Sequence, residues 1–287
     1  MRNTAYIFSI VLLSLITVIP DFKADVVAVK YTGVGNLFPD ENCSLIMTNA
    51  SVIFDIYYNE QYDQIFARFN GNYTIYNPDI SQNITLAAPF SSDFKNLEST
   101  CVIKVDNDST PFTFFQYHWS EPWAEYLDSV TRLRSFLLTN ITFPENSSVK
   151  IEYSFEAYIV PFENDDRLII YYDVGTSRAW NGSITEIVEF KAHKKLPNSY
   201  STIGQDSNNY SCTVSNISDG RSYVWEWVDE IIMIDSVYIS YNNPYYSLRR
   251  LTPFILFGSV FGGVIIVEII IQLRKRRKKR LKAELTD

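Results

Sequence analysis

Histidine and cysteine are scarce in this chain of 287 residues, which contains 2 His and 3 Cys. The sequence has no Cys-x-x-Cys pair, His-Glu-x-x-His motif, Gly-x-Ser-x-Gly elbow, Walker loop or Gly-x-Gly-x-x-Gly loop. A hydrolase triad would need His118 or His193, and neither has a marked nucleophile nearby. We therefore expect no catalytic activity, no metal and no cofactor. A membrane-anchored glycan hydrolase is kept as the alternative from the enzyme class.

The low cysteine count excludes a disulfide-dense scaffold, so the hydrophobic core must supply most of the stability. An odd number of cysteines leaves at least one thiol unpaired or bound to another chain. Cys43 and Cys101 fall in the same predicted domain and form the possible disulfide, so Cys212 would have no partner within the chain.

Positive charge is scarce outside the C-terminal end. The net charge is -8, and residues 274–287 hold eight Lys/Arg and two Asp/Glu, so the rest of the chain carries 17 basic and 31 acidic residues. An acidic body of this kind repels the phosphates of nucleic acids. We therefore expect no nucleic-acid partner.

Two long apolar runs set the predicted topology. Residues 1–24 contain one of them after Arg2 and are typical of a signal peptide or an N-terminal anchor. Residues 251–273 are long enough for a transmembrane helix. Seven topology-setting bases follow: Arg274, Lys275, Arg276, Arg277, Lys278, Lys279 and Arg280. The positive-inside rule then predicts a single-pass protein of the plasma membrane or cell surface, with its body outside and its basic tail, residues 274–287, in the cytoplasm.

The membrane segment has two expected contacts besides the lipid bilayer itself. Gly258 and Gly262 form a Gly-x-x-x-Gly pattern, which is a possible helix dimer contact, so a homodimer is possible. The basic tail is expected to attract anionic lipid.

Asparagine sequons are abundant between the two apolar runs. With 21 Asn and 46 Ser or Thr in the chain, chance predicts about 3 to 4 Asn-x-Ser/Thr sequons. We expect N-glycosylation because ten occur, at Asn42, Asn49, Asn72, Asn83, Asn107, Asn140, Asn146, Asn181, Asn209 and Asn216. A used sequon must lie on the surface, so Asn72 and Asn83 should point outward from strands.

The body is predicted to be mainly β, because aromatic residues make up 15% of the chain and short alternating runs are separated by turns. Asn70-Gly71 predicts a hairpin or a sharp bend, and Asp106-Asn107-Asp108 predicts a second hairpin. The expected architecture is two antiparallel β-sandwich-like ectodomains, β-domain 1 at residues 25–118 and β-domain 2 at residues 119–247.

Two resemblances add to this interpretation. The stretches "GNYTIYN", "LAAPFS", "VIKVDND" and "TSRAWNGSI" together resemble uncharacterised exported, membrane-anchored β-sandwich ectodomain proteins of prokaryotic type, archaea included. That resemblance implies a sandwich fold and no particular activity or site. The stretch "DSNNYSC" is similar to the Asp-x-x-x-Tyr-x-Cys corner of immunoglobulin domains, over seven residues.

We therefore expect a cell-surface N-glycosylated protein whose ectodomain serves binding, adhesion or envelope structure, with an unknown protein or glycan partner. An exposed cluster of Trp119 and Trp123 is a candidate binding patch for that partner. The alternative from the same class is a receptor or viral-type envelope glycoprotein with immunoglobulin-like domains, in which Cys212 would bridge two sheets.

Overall fold

Strands make up most of the residues that the structure describes, and many of them alternate apolar and polar side chains. The computed structural model describes residues 29–39, 43–59, 64–116, 135–159, 166–204, 210–242, 267 and 269–277. Its strands are β1 (Val29–Gly35), β2 (Phe38–Pro39), β3 (Ile46–Asn59), β4 (Gln64–Asn77), β5 (Gln82–Phe90), β6 (Phe94–Lys95), β7 (Val102–Val105), β8 (Asp108–Ser109), β9 (Thr113–Gln116), β10 (Ser135–Phe143), β11 (Ser147–Ile159), β12 (Arg167–Asp173), β13 (Ile184–His193), β14 (Ser199–Gly204), β15 (Thr213–Ile217), β16 (Gly220–Glu230) and β17 (Ile234–Asn242). The helical segments are α1 (Leu97–Thr100), a 3-10 turn at Gly175–Ala179 and residues 269–277.

The described strands form two sheets, which confirms the mainly β prediction. One sheet has nine strands in the order β15-β16-β13-β3-β4-β11-β7-β8, with β6 also pairing with β11. The other has eight strands in the order β14-β17-β12-β1-β5-β10-β9, with β2 also pairing with β5. Alternation along strands such as β13, where every second residue from Ile184 is buried, turns one face toward the core.

The predicted division into two β-domains at residue 118 is wrong, because strands from both sides of it pair in each sheet. In the nine-stranded sheet β3 pairs with β13, and β4 pairs with β11. In the eight-stranded sheet β1 pairs with β12, and β5 pairs with β10. The described strands up to residue 241 belong to one compact unit, and the chain from residue 242 belongs to a second.

The sheets are also not purely antiparallel. The pairs β1–β12 and β3–β13 are parallel, whereas the long pairs β3–β4 and β4–β11 are antiparallel. Both parallel pairs join a strand of the first half of the chain to one of the second half. A long connection permits a parallel pairing, which a short hairpin does not.

The hairpin predicted at Asn70-Gly71 is also wrong, because both residues lie inside the continuous strand β4. Gly71 is needed there for space: a Cβ atom at this position would lie 2.5 Å from the hydroxyl oxygen of Tyr73. The second predicted hairpin forms between β7 and β8, where Asp106 and Asn107 take positive φ angles of 50° and 74°. Asp and Asn tolerate this left-handed conformation better than other residues with a Cβ atom.

Aromatic side chains fill the space between the sheets. The ring of Phe54 stacks on Phe190 at 4.8 Å and meets the edge of Phe69 at 4.9 Å, all within the nine-stranded sheet. The ring of Tyr172, from the eight-stranded sheet, lies 6.2 Å from Phe54 and 6.4 Å from Phe69. The sheets are therefore held together by ring contacts that cross the interface, in addition to apolar burial.

A buried amide ties the sheets together at one end. Asn77, at the end of β4, donates from Nδ2 to the carbonyl oxygens of Ile80, Phe143 and Pro144 at 2.9, 3.0 and 3.1 Å. Its Oδ1 accepts from the backbone of Asp79 and the side chain of Gln82. One side chain of the nine-stranded sheet thus bonds to groups of the eight-stranded sheet, at Phe143 and Gln82, and to the turns beside it.

Removing this amide should destabilise the fold. We expect Asn77→Ala to lower the free energy of unfolding by about 2–4 kcal/mol, because it removes a fully buried amide that makes five hydrogen bonds, one of them to the buried carbonyl group of Phe143. Urea denaturation measures the change. Asn70→Ala, at an exposed position of the same strand, is the control and should change the value by less than about 0.5 kcal/mol. Equal unfolding midpoints for the two variants would contradict the role given to Asn77.

Within the described residues, no helix combines the length and the apolarity needed to cross a membrane. The predicted transmembrane segment, residues 251–273, lies mainly outside those residues, as does the predicted signal segment, residues 1–24.

Candidate functional site

The sequon asparagines lie on the outer surface wherever they are described. Asn42 and Asn209 lie outside the described residues, and the other eight are all exposed: Asn49, Asn72, Asn83, Asn107, Asn140, Asn146, Asn181 and Asn216. By contrast the two fully buried asparagines of the described chain, Asn36 and Asn77, belong to no sequon. The outward direction expected for Asn72 and Asn83 agrees with the structure.

Four of these sequons face each other in pairs. On the nine-stranded sheet, Asn49 lies opposite Thr74 and Ser51 opposite Asn72, so the two sequons are paired head to tail. On the eight-stranded sheet, the sequons of Asn83 and Asn140 are paired in the same way. There Thr85 donates to Oδ1 of Asn140 at 3.2 Å, and Thr142 donates to Oδ1 of Asn83 at 3.4 Å.

A row of four rings crosses the outer face of the nine-stranded sheet near one end. His193, Tyr57, Phe66 and Tyr158 are direct neighbours on the adjacent strands β13, β3, β4 and β11. Successive ring centroids are 4.3, 6.3 and 5.3 Å apart. We call these four residues the aromatic row.

A groove of about 580 Å³ opens beside this row, a volume within the range of small-ligand sites. It is lined by Tyr57, Tyr58, Asn59, Gln64, Phe66, Tyr158 and Lys194, and none of these carries a carboxylate. The ammonium group of Lys195 lies 3.9 Å from the centre of the Tyr58 ring, a cation–π contact that fixes this ring. We call this space the aromatic groove.

The His193 end of the row is held in place from several sides. Its Nδ1 lies 2.7 Å from Oδ1 of Asp219, and its Nε2 lies 3.3 Å from Oδ1 of Asp55. The hydrogen bond from His193 also lowers the pKa of Asp219. Gly220 lies opposite His193, and a Cβ atom there would overlap the carbonyl group of Ala192. These contacts fix the imidazole ring of His193, and the ring of Tyr57 stacks on it with an angle of 6° between the two ring planes.

A second cluster is hidden between the sheets and consists of two buried carboxyl groups. Glu186 accepts a hydrogen bond from Nδ2 of Asn36 at 3.1 Å, and Asp173 accepts one from the backbone of Gly175 at 3.0 Å. The hydroxyl oxygens of Tyr73 and Tyr172 lie 3.3 Å apart in the same region. In the described part of the chain, Oε2 of Glu186 and Oδ2 of Asp173 have no hydrogen-bond partner.

Burial raises the pKa of both acids. It raises the pKa of Asp173 from an ordinary value of 3.8 to about 7, although the Gly175 amide opposes the shift. Burial also raises the pKa of Glu186 well above its usual range; the Tyr172 hydroxyl opposes that shift and the charge of Asp173 adds to it. The described residues contain no group of three or more His, Cys, Asp or Glu that could hold a metal ion.

The buried acids should make the fold more stable in acid. Folded Asp173 keeps its proton up to about pH 7, whereas the unfolded chain releases it near pH 3.8. Between these values the folded state binds more protons, so the free energy of unfolding falls as pH rises, by on the order of 4 kcal/mol for this group.

Asp173→Asn should therefore flatten the pH dependence. Chemical denaturation at about pH 4.5 and about pH 8 measures the difference, which should shrink in this variant because the amide does not titrate. Glu98→Gln, at an exposed position of α1, should leave the difference unchanged. A pH dependence in Asp173→Asn equal to that of the unmodified protein would be inconsistent with a buried, protonated Asp173.

The disulfide proposed between Cys43 and Cys101 does not form, because Cys101 is a free thiol. The strands that follow the two cysteines, β3 and β7, are separated in their sheet by β4 and β11. That separation is about 14 Å, twice the reach of a disulfide. Cys212 is also a free thiol, so the immunoglobulin-type bridge is absent and that alternative fails. Burial raises the pKa of both Cys101 and Cys212 to about 12, which makes each a poor nucleophile.

Several predicted positions lie wholly or partly outside the described residues. Gly258 and Gly262, the possible helix contact, are outside, and so are Trp119 and Trp123. Of the seven topology-setting bases, Arg274 to Arg277 lie on the described helix and are exposed, while Lys278, Lys279 and Arg280 are outside.

The sequence analysis missed the aromatic row and the buried acids. His193, Tyr57, Phe66 and Tyr158 come from four strands, and each looks unremarkable in its own stretch. A signal did exist, because each residue occupies an outward position of its alternating strand where a polar residue is more usual. Only the pairing register shows that the four positions form one line.

No protein-family model matches the chain, and no curated protein matches it. Among solved structures, it is similar to a proposed nutrient-binding protein from Legionella pneumophila, with a TM-score of 0.56 and 12% identity. That match covers 80% of this chain and 77% of the other. At this identity the likeness shows a shared fold alone.

The prediction that the chain is not an enzyme is contradicted by two further solved structures, and it is withdrawn. One is yeast LTA4 hydrolase, with a TM-score of 0.36 and 9% identity. The other is a two-domain M1 zinc metallopeptidase, with a TM-score of 0.33 and 8% identity. Each match covers 69% of this chain, but only 29% and 42% of the respective enzyme. Because these TM-scores are low, the matches support no particular reaction for this chain.

Proposed function

We propose that this chain is a single-pass, N-glycosylated protein of the cell surface whose β-rich body binds a ligand outside the cell. The observation that carries the proposal is the exposure of all eight described sequon asparagines. A sequon that arose by chance can fall on either face of a strand, but a used one must face outward. The buried Asn36 and Asn77 show that this chain does place asparagine in its interior.

The proposed anchor rests on sequence. Residues 251–273 are apolar over a length that a membrane-spanning helix needs, and the bases of residues 274–280 follow at once. All ten sequons precede this segment, so the orientation inferred from charge and the orientation inferred from glycosylation agree. The basic tail is then available to anionic lipid.

The proposed binding role has two supports. The aromatic groove is concave and rich in rings, and it has a few polar groups at its edge, as ligand sites commonly do. The fold is shared with a protein that is itself proposed to bind nutrients. Adhesion and envelope architecture are the more specific roles that such a surface protein could serve.

Glycosylation can be tested one site at a time. We expect Asn72→Gln to remove one glycan and increase gel mobility by that mass, because Asn72 is exposed on the outer face of β4. Asn70→Gln is the matched control, since it lies two residues away on the same face and in no sequon. Enzymatic deglycosylation should bring all three proteins to one mobility. If Asn72→Gln and the unmodified protein migrate alike before deglycosylation, Asn72 is not a used site.

The orientation can be tested on intact cells. Protease added outside should digest the β-rich body and leave a short fragment that contains the apolar segment and the basic tail. An antibody against residues 274–287 should detect this fragment, and it should stain cells only after they are permeabilised. Full protection of the body, or staining of intact cells, would rule out the proposed topology.

A further inference from the structure

We propose that the aromatic groove binds an oligosaccharide belonging to another molecule, with its sugar rings packed along the aromatic row. This inference deepens the proposed binding function and rests on it. It assigns the ligand class to the outer face of the nine-stranded sheet, at the end where β3 and β13 finish and β4 begins.

The shape of the row suits a linear chain of sugar rings. Its four members occupy four adjacent strands, so the row runs across the sheet for about 14 Å, three strand spacings. A pyranose ring has an apolar C–H face, which packs well against aromatic rings. Tyr158, which is 43% exposed, offers the most accessible ring surface and is supported edge-on by Phe66 at 5.3 Å.

The polar residues of the groove can form hydrogen bonds with the hydroxyl groups at the edge of a sugar ring. Asn59 and Gln64 carry amide groups, which both donate and accept hydrogen bonds, as sugar hydroxyl groups do. Lys194 adds a positive charge, and none of the lining residues that the structure describes is a carboxylate. These described groups are compatible with neutral sugars and with sugars that carry a carboxylate.

Lys194 is held at the groove by its backbone. It takes a positive φ of 64°, and its amide donates to the carbonyl oxygen of Asp219 at 2.7 Å. A residue with a Cβ atom in this conformation costs free energy, which the rest of the fold must offset. The turn places the lysine beside the groove directly after His193, the fixed end of the aromatic row.

Most of the sequons that the structure describes lie away from this surface. Along β4, Asn72 is six residues from Phe66, or about 20 Å, and along β3, Asn49 is eight residues from Tyr57, or about 26 Å. Asn216 is nearer, since its strand β15 lies two strands beyond His193. Tyr158 is at the opposite end of the row from Asn216.

The size of the groove favours a sugar over a protein partner. Its volume of about 580 Å³ is that of a small-ligand site. A stable protein interface buries about 800 Å² on each partner, and here the rows next to the rings are charged and polar. One such row contains the Arg68–Glu156 ion pair at 2.7 Å. A sugar chain needs only the narrow line of rings.

The test uses the full chain purified in detergent, with cellohexaose, maltohexaose and N-acetylchitohexaose as probes in calorimetric titrations. At least one probe should bind, and Tyr158→Ala should weaken its binding at least ten-fold. Tyr200→Ala is the matched control, because Tyr200 is 44% exposed and also packs against aromatic rings, but on β14 of the other sheet. It should leave the affinity unchanged. If Tyr158→Ala does not fold, Gln64→Ala, at the polar edge of the groove, should weaken binding instead.

Four outcomes would overturn the proposal. The first is that no probe binds, and the second is that Tyr158→Ala and Tyr200→Ala lose the same amount of affinity for the probe. The third is that binding needs the protein's own glycans, and the fourth is that the aromatic row binds lipid instead of sugar. Repeating the titration after enzymatic deglycosylation tests the third, and Asn216→Gln, which should not weaken binding, tests it at a sequon near the row. Vesicles of anionic lipid test the fourth outcome. The proposal is overturned if the protein adsorbs to the vesicles, Tyr158→Ala abolishes that adsorption, and no sugar probe binds. Sugar binding in detergent requires neither glycosylation nor a membrane orientation. The proposed topology can therefore fail while this inference stands, and this inference can fail while the proposed topology stands.

Discussion

The packing of aromatic rings between the two sheets is the constraint on which the rest of the structure depends. Phe54 contacts Phe190 and Phe69 in its own sheet and Tyr172 in the other, so its position fixes both sheets at once. Because side chains alternate along a strand, this inward register also decides which residues face outward. A shift of one residue in β3 would turn Phe54 to the solvent and place Asp55 and Tyr57 in the core.

The same inward register gives the core an unusual polar content. Glu186 follows the alternation of β13 and is fully buried, next to Asn36. A charged carboxylate in this place would be costly, so burial raises the pKa of Glu186 well above its usual range and that of Asp173 to about 7. Buried polar groups of this kind specify how two sheets fit together, because a displaced sheet would leave them without partners. Asn77 acts similarly at the sheet end, where its five hydrogen bonds span both sheets.

The outward face carries the two features on which the proposed function rests, the sequons and the aromatic row, and they are separated along β3 and β4. On β3 and β4 the paired sequons of Asn49 and Asn72 lie toward one end, and Tyr57 and Phe66 lie toward the other. A ring row that shared its end with the two sequons would be covered by sugars attached to its own sheet. The separation therefore leaves a surface where aromatic side chains are accessible, and this surface is the one that includes the groove.

The sequence by itself determined the mainly β class, the outward direction of Asn72 and Asn83, and the turn at Asp106 and Asn107, because alternation and turn chemistry are local properties of the chain. It did not determine the single two-sheet body, since the pairing of β3 with β13 joins residues more than a hundred positions apart. It misplaced a hairpin at Gly71, where the glycine makes room for Tyr73 rather than for a turn. Tertiary structure alone decided that His193, Tyr57, Phe66 and Tyr158 form one row and that Cys43 and Cys101 stay apart. The physical reason is the same in each case: strand register depends on the fit of the whole core, which no short stretch of sequence contains.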